Sequence, residues 1–430
     1  MRNRVSAHCA SMAGMNAPIG STAASSLPTR ASRVSARVAA VPASATLAID
    51  SKAKALRQAG EDVISFGAGE PDFPTPPAVV AAAAAACSDP RNHRYSPTAG
   101  LAELRAAIAE ATARDSGWQV ASSQVLVTNG GKHAVATALA SLVDPGDEVL
   151  LPSPYWTTYP EAVALAGGTT VVVEGRPEQG FQVGVDQLDR ATTERTKALI
   201  LVSPSNPTGA LYGRDELAEI GRWALERGLW VISDDIYEHL VYGDGKRWAL
   251  PSLVPELTDR LVLVNGVAKT YAMTGWRVGW MVGPPDVTAA AINLQSQMTS
   301  NVANVSQRAA LEALRLGPES AVPMRDAFDR RRTRMLQMLR HIEGIECAEP
   351  RGAFYAFPSV ASFLGRRIGG VEVRTSAQLA EVLLDSVKVA VVPGEAFGAP
   401  GFVRMSYALG DADLETGVRR MAEVLSTASG

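Results

Sequence analysis

The residues best placed for chemistry lie where apolar strands run out into loops. Lys269 follows the apolar run Leu261 to Val264 and the turn signal Asn265-Gly266. Thr274-Gly275-Trp276-Arg277 and a second apolar run come after it. A lysine between two buried strands points into a cleft, whereas most lysines lie solvated on amphipathic helix faces. In low-dielectric surroundings its amine gives up its charge more easily, as an amine that condenses with a carbonyl must. Arg277 is a second cation at the same junction. It depresses the lysine pKa further, and its fork suits a phosphate. A loop lysine alone proves little, so the other strand ends decide.

Ligands of a parallel sheet bind at the carboxyl ends of its strands. After the run Val125 to Val127 comes Thr128-Asn129-Gly130-Gly131-Lys132, opening a helix. Such a junction either cradles a phosphate with free N–H groups or is a plain tight turn. After Ala198 to Val202 comes Ser203-Pro204-Ser205-Asn206-Pro207-Thr208-Gly209. Asn206, held between prolines, either donates its amide to an oxygen or merely forms the turn. After Leu229 to Ile232 comes Ser233-Asp234-Asp235-Ile236-Tyr237. One of the two acids faces the cleft, and either can instead cap the next helix. Tyr237 shares a face with Asp234. Pro154-Tyr155-Trp156 ends another strand, where Trp156 either stacks on a flat ring or packs. Arg404, in the strand-like Phe402 to Tyr407, is a cation among apolar neighbours, and its geometry suits a carboxylate. An amine, a carboxylate, an amide donor, a phosphate cup and a ring platform together match the needs of pyridoxal phosphate.

The elements that position these residues alternate. Short apolar strands at Val125–Val127, Glu148–Leu151, Thr170–Val173, Ala198–Val202, Leu229–Ile232 and Leu261–Val264 are separated by helices such as Lys132–Val143, Tyr159–Ala166 and Arg214–Arg227. Continuous apolar strands between helices predict a largely parallel sheet covered on both faces. From Met324 the pattern changes to a long charged helix reaching about His341. Short strands at Ala353–Phe357, Val387–Val391 and Phe402–Tyr407 follow, with helices near 376–385 and 413–425. That is the pattern of a smaller α+β domain. The expected division is an N-terminal extension at 1–30, an arm at 31–65 that joins the small domain, a large domain at 66–320 and a small domain at 321–430.

With 430 residues, 47% hydrophobic and 20% charged, the chain is ordinary globular material for two domains. A net charge of −3 makes no electrostatic case for nucleic acid or an anionic membrane. No apolar run approaches a spanning helix. Cys9, Cys87 and Cys347 are far apart and show no metal spacing, which fits a reducing, cytoplasmic setting. Residues 1–49 hold no Asp or Glu, and Arg2, Arg4, Arg30, Arg33 and Arg37 are their only charges. The first ~30 residues of this stretch are read as an over-long gene start or a disordered extension in preference to an organelle transit peptide.

The stretches FGAGEPDF, RYSPTAG, TNGGK, PSPYWTTYP, SPSNPTG, SDDIYEHL, VNGVAKTYAMTGWRVG and FVRMSY occur in that order. Over residues 33–428 the chain resembles the fold-type-I pyridoxal-phosphate aminotransferases, in particular the bacterial aspartate aminotransferases of the Iβ type, relatives of prephenate aminotransferases. The resemblance implies an α/β fold with a mostly parallel seven-stranded sheet sandwiched by helices. It implies that Lys269 carries the cofactor as a Schiff base and shuttles the proton, and that Asp234 pairs with the pyridine nitrogen. Asn206 and Tyr237 would then bond the phenolic oxygen, and Trp156 would stack on the ring. Gly131, Lys132 and Arg277 would hold the phosphate, joined by Tyr95 from a neighbouring subunit of a homodimer with shared sites. Gly69, Asn206 and Arg404 would grip the substrate α-carboxylate, with Trp156 beside it, while Thr46 and Lys132 would read a distal carboxylate. The implied reaction is ping-pong amino transfer from aspartate to 2-oxoglutarate. Prephenate as acceptor, or a β-lyase on the same fold, is the alternative. Two departures stand out: Gly266 occupies a position that is often serine in the family, and Asp235 one that is usually glutamate. The second acid is not the ring partner, so little effect is expected there.

Overall fold

A computed structural model describes residues 33–42 and 45–429. The chain divides into two compact units, Met1–Pro42 and Ala43–Gly430. In the first, a short helix spans Ala36–Ala39. The extension expected at 1–30 lies outside the described residues.

The second unit is built on a seven-stranded sheet in the order Val125–Thr128, Gly279–Val282, Leu261–Gly266, Trp230–Asp234, Thr196–Val202, Glu148–Ser153, Thr169–Glu174. Gly279–Val282 runs against its two neighbours, and the other pairings are parallel. Side chains alternate between faces along each strand. Val231 and Leu263 therefore join Leu104, Ile108, Ile220 and Trp223 in one core layer. Ile232 and Val262 join Val135, Leu139 and Val163 in the other. Because both faces are covered, the strands can be apolar throughout, which is what their sequences show.

A three-stranded antiparallel sheet follows, ordered Val392–Pro393, Val403–Ser406, Tyr355–Ala356. Helices Val322–Leu339, Ser376–Val387 and Asp411–Leu425 supply Phe328, Met335, Leu379, Leu383 and Val418 to its core. Ile64–Ser65 pairs in parallel with Val389–Ala390, which ties the start of the unit to its end.

Three expectations need correction. The strand expected at Val387–Val391 is shorter, because helix Ser376–Val387 runs into it and ends on Lys388 at φ 56°. Apolar residues four apart, Leu379 and Leu383, continue the helical face that β-branched Val387 disguised. The long charged helix stops at Leu339, short of His341. Helices Pro285–Met298 and Asn304–Leu316 were not anticipated. Among the described residues no helix is long and apolar enough to cross a membrane.

Candidate active site

Lys269 stands on the loop that leaves strand Leu261–Gly266, and its amine donates to the carbonyl of Gly69. The ammonium lies 5.6 Å from the Phe354 ring centroid and 5.9 Å from that of Tyr237. Loss of hydration lowers its pKa to about 8. Arg404 and Arg277 push the same way, and Glu70 and Asp234 push back.

Asp234 ends strand Trp230–Asp234 and is 3% exposed. Its Oδ2 accepts from the Tyr159 phenol at 2.8 Å, and its Oδ1 accepts from the Ile236 N–H at 3.2 Å. Burial raises its pKa to about 6 against those two hydrogen bonds. Asp235, next along, turns away to Ser233 and to the guanidinium of buried Arg247. The two acids are thus separated in role by their partners.

Tyr237 and Tyr355 share a hydrogen bond between their hydroxyls at 3.0 Å. The Arg404 guanidinium lies 4.4 Å from the Tyr355 ring and 5.1 Å from that of Phe397. It donates to Asn206 Oδ1 and to the Gly67 carbonyl, each at 2.9 Å. Arg404 is 2% exposed, and its Nε has no partner. Among the described residues no carboxylate pairs with it. Burial lowers its pKa. A buried guanidinium without an anion is costly unless a ligand provides one.

At the other end of the site, Gly130 adopts φ 85° and opens helix Gly131–Leu142. The first-turn N–H groups of Gly131 and Lys132 lack intrahelical acceptors. Arg277 leans over this turn, donating to Asn129 O at 3.3 Å and Thr274 O at 2.9 Å. The turn is reached only because neighbouring positions are glycine. A Cβ on Gly279 would come within 2.5 Å of the Gly131 nitrogen. One on Gly266 would meet the Val278 carbonyl at 2.9 Å and Gly279 Cα at 3.0 Å. Any side chain at Gly266 would therefore crowd this backbone.

Lys132 lies 5.2 Å from the Trp156 ring, and Trp156 meets Tyr159 edge to face at 5.3 Å. Direct contacts and through-space charge thus link Lys269, Asp234, Tyr237, Asn206, Arg404, Gly69, Arg277, Trp156, Lys132 and Gly131 into one connected group. Tyr95 is not among them: it is 92% exposed and forms no hydrogen bond or ring contact among the described residues. Thr46 lies in helix Ala45–Gln58, but its side chain is outside the described residues. A surface depression of about 260 Å³ between Val172, Arg176 and Arg190 gathers none of these groups.

Three residues escaped the sequence reading. Tyr159 is three residues after Trp156, so helical spacing could have placed it beside that ring. Tyr355 hides in an aromatic strand and carries no local signal. Glu70, which accepts from the Thr274 hydroxyl at 2.8 Å, reaches the site across 204 residues of chain. Behind Asp235, Asp115, Glu238 and His239 bring ligand-type atoms within 4.8 Å of one another. Burial opposes the charge on His239, but hydrogen bonds to Asp115 and Glu238 raise its pKa to about 9. With Arg247 beside Glu238 at 3.1 Å, the cluster is an internal ion network.

The profile of the family described as "Aminotransferase class I and II" matches residues 61–421. The aspartate aminotransferase of Streptomyces avermitilis is 59% identical over 396 residues, covering 92% of this chain and 97% of that one. A probable aspartate/prephenate aminotransferase of Aquifex aeolicus is 43% identical over 395 residues, covering 91% and 98%. The structure of a Thermus thermophilus aspartate aminotransferase with maleate superposes with a TM-score of 0.85 at 40% identity, covering 91% of this chain and 99% of that one. The fold is that of these enzymes, and the chain belongs to the class I and II aminotransferases.

Proposed function

We propose that this transaminase transfers the amino group of aspartate to 2-oxoglutarate, using pyridoxal 5′-phosphate. The observation that carries the reading is buried Arg404, which pairs with no carboxylate among the described residues, near the Lys269 amine, whose pKa is lowered to about 8. One group recognises a carboxylate, and the other is ready to join a carbonyl. The donor set fits the cofactor. Asp234 offers a buried acid for a ring nitrogen, Tyr237 and Asn206 offer polar atoms beside it, and the glycine-lined turn under Arg277 offers a phosphate cup.

Bound pyridoxal phosphate supplies an aldehyde that links to amines and a ring that takes up electrons from the substrate α-carbon. Lys269 would hold that aldehyde through its Nζ and, when free of it, would carry the proton that leaves the substrate Cα. Asp234, ionised, would hold a proton on the ring nitrogen. Trp156 would cover the ring face. Arg404, Asn206 and Gly69 fix the α-carboxylate and so orient the Cα–H bond. Closure of the proposed small domain (321–430) over the large one (66–320) excludes water.

Lys132 and Thr46 read the distal carboxylate. The maleate of the Thermus thermophilus structure is a dicarboxylate, and the first relative named above is called an aspartate aminotransferase. Prephenate is the competing acceptor, because it also carries two carboxylates and occurs in the printed name of the Aquifex aeolicus relative. A homodimer with shared sites is part of the proposal. The exposure of Tyr95 supports it, since that side chain is free to reach another subunit. The free thiols Cys87 and Cys347 suit a cytoplasmic setting. The test is kcat/KM for aspartate, glutamate, alanine and phenylalanine with 2-oxoglutarate, oxaloacetate and prephenate. A preference for alanine or phenylalanine over both acidic amino acids would refute the assignment.

A further inference from the structure

Tyr159 touches two of the groups that the proposed reading places on the cofactor. It lies in the first turn of helix Thr158–Ala166 and is buried. Its hydroxyl donates to Asp234 Oδ2 at 2.8 Å. Its ring meets Trp156 at 5.3 Å and 86°, an edge-to-face contact. No other side chain among the described residues donates to Asp234. The remaining oxygen is held by the Ile236 backbone. One side chain therefore braces both the acid aimed at the ring nitrogen and the indole aimed at the ring face.

We infer that Tyr159 is a positioning residue for the cofactor: its phenol keeps Asp234 ionised and oriented, and its ring edge sets the tilt of Trp156. The charged and titratable groups around Asp234 show why the phenol matters. Burial opposes ionisation, as does Asp235, the next residue in the chain, while Lys269 favours it and Tyr237 stands nearby. The Tyr159 hydrogen bond is the strongest of the influences that keep the carboxylate charged. With a carboxyl already raised to about 6, little reserve is left near neutral pH. A protonated Asp234 cannot hold a proton on the ring nitrogen. The sign follows: cofactor binding that depends on ionised Asp234 is complete above its pKa and fails as pH falls through it.

The inference rests on the pyridoxal-phosphate reading, so the wild-type protein is measured first. Apoprotein is titrated with pyridoxal phosphate by equilibrium dialysis from pH 5 to pH 9, and the absorbance of the bound cofactor is followed. Failure of wild-type protein to bind sinks the functional reading. If wild type binds, Tyr159→Phe decides the role of the phenol. A hydrogen bond to a charged group is worth a factor of about ten or more. Tyr159→Phe is therefore expected to weaken binding at neutral pH at least about tenfold and to move the acid limb to higher pH. In a second variant, 3,5-difluorotyrosine at position 159 keeps the shape and donates more strongly, so the limb moves to lower pH. This variant decides the matter should Tyr159→Phe fold poorly. An acid limb and affinity unchanged in Tyr159→Phe, or a limb unmoved by fluorination, overturns the inference and leaves the functional reading intact.

Discussion

Arg404 Nη1 donates to Asn206 Oδ1 at 2.9 Å across 198 residues, and its Nε is left without a partner. The pair joins the small antiparallel sheet to a loop at the end of a strand of the large sheet. In the proposed reading, a carboxylate bound between them would be oriented by groups from both layers. Arg404→Gln should cost about 2–5 kcal/mol of binding, roughly a 30- to 5000-fold fall in kcat/KM. Because the change also removes a buried cation with no counter-ion, melting of the cofactor-loaded enzyme should shift little or rise. Steady-state kinetics and calorimetry on the same preparation check both halves.

The amine of Lys269 must be neutral to attack an aldehyde. With its pKa lowered from 10.5 to about 8, the rate of cofactor uptake by apoprotein should climb through a midpoint near pH 8. Arg404 and Arg277 both depress that pKa, so Arg277→Gln should move the midpoint upward. Stopped-flow absorbance at several pH values reads this. A midpoint near 10.5 in wild type is the contrary outcome.

His239 gives a stability prediction with the opposite sense of pH. Its folded pKa is raised from 6.5 to about 9, so its stabilisation is complete below pH 6.5 and is lost as pH rises through 9. The upper bound is about 3 kcal/mol. Chemical denaturation should show stability falling between pH 6.5 and 9. His239→Gln should lower stability at pH 6 and flatten that slope.

Much of this candidate site is legible in the sequence. Lys269, Asp234 and Asn206 sit at strand ends, where local sequence reports both the strand and its loop. The alternation of apolar strands and helices gave the parallel sheet for the same reason. What stayed hidden depends on distant chain. Tyr355 reaches Tyr237 from a strand 118 residues away, and nothing beside it in sequence marks it as polar-facing. The Asp235–Arg247 ion pair likewise emerges only in the structure. The boundary at Val387 is obscured in the sequence because a β-branched residue closes a helix whose cap is Lys388 at positive φ.

Gly266 tests the reading of the phosphate end. Serine there would add a hydroxyl that suits a phosphate, yet its Cβ would press on the Val278 carbonyl and Gly279. Overpacking against backbone costs about 1–3 kcal/mol. Gly266→Ser should therefore lower the melting temperature and should not tighten cofactor binding. Tighter binding with unchanged melting would contradict the packing argument.

The central claim is a covalent bond at one side chain. Protein incubated with pyridoxal phosphate, reduced with borohydride and digested should yield one modified peptide, with the adduct on Lys269. Lys269→Ala should give none and should lose turnover. An adduct confined to another lysine, or full activity in Lys269→Ala, would contradict the account.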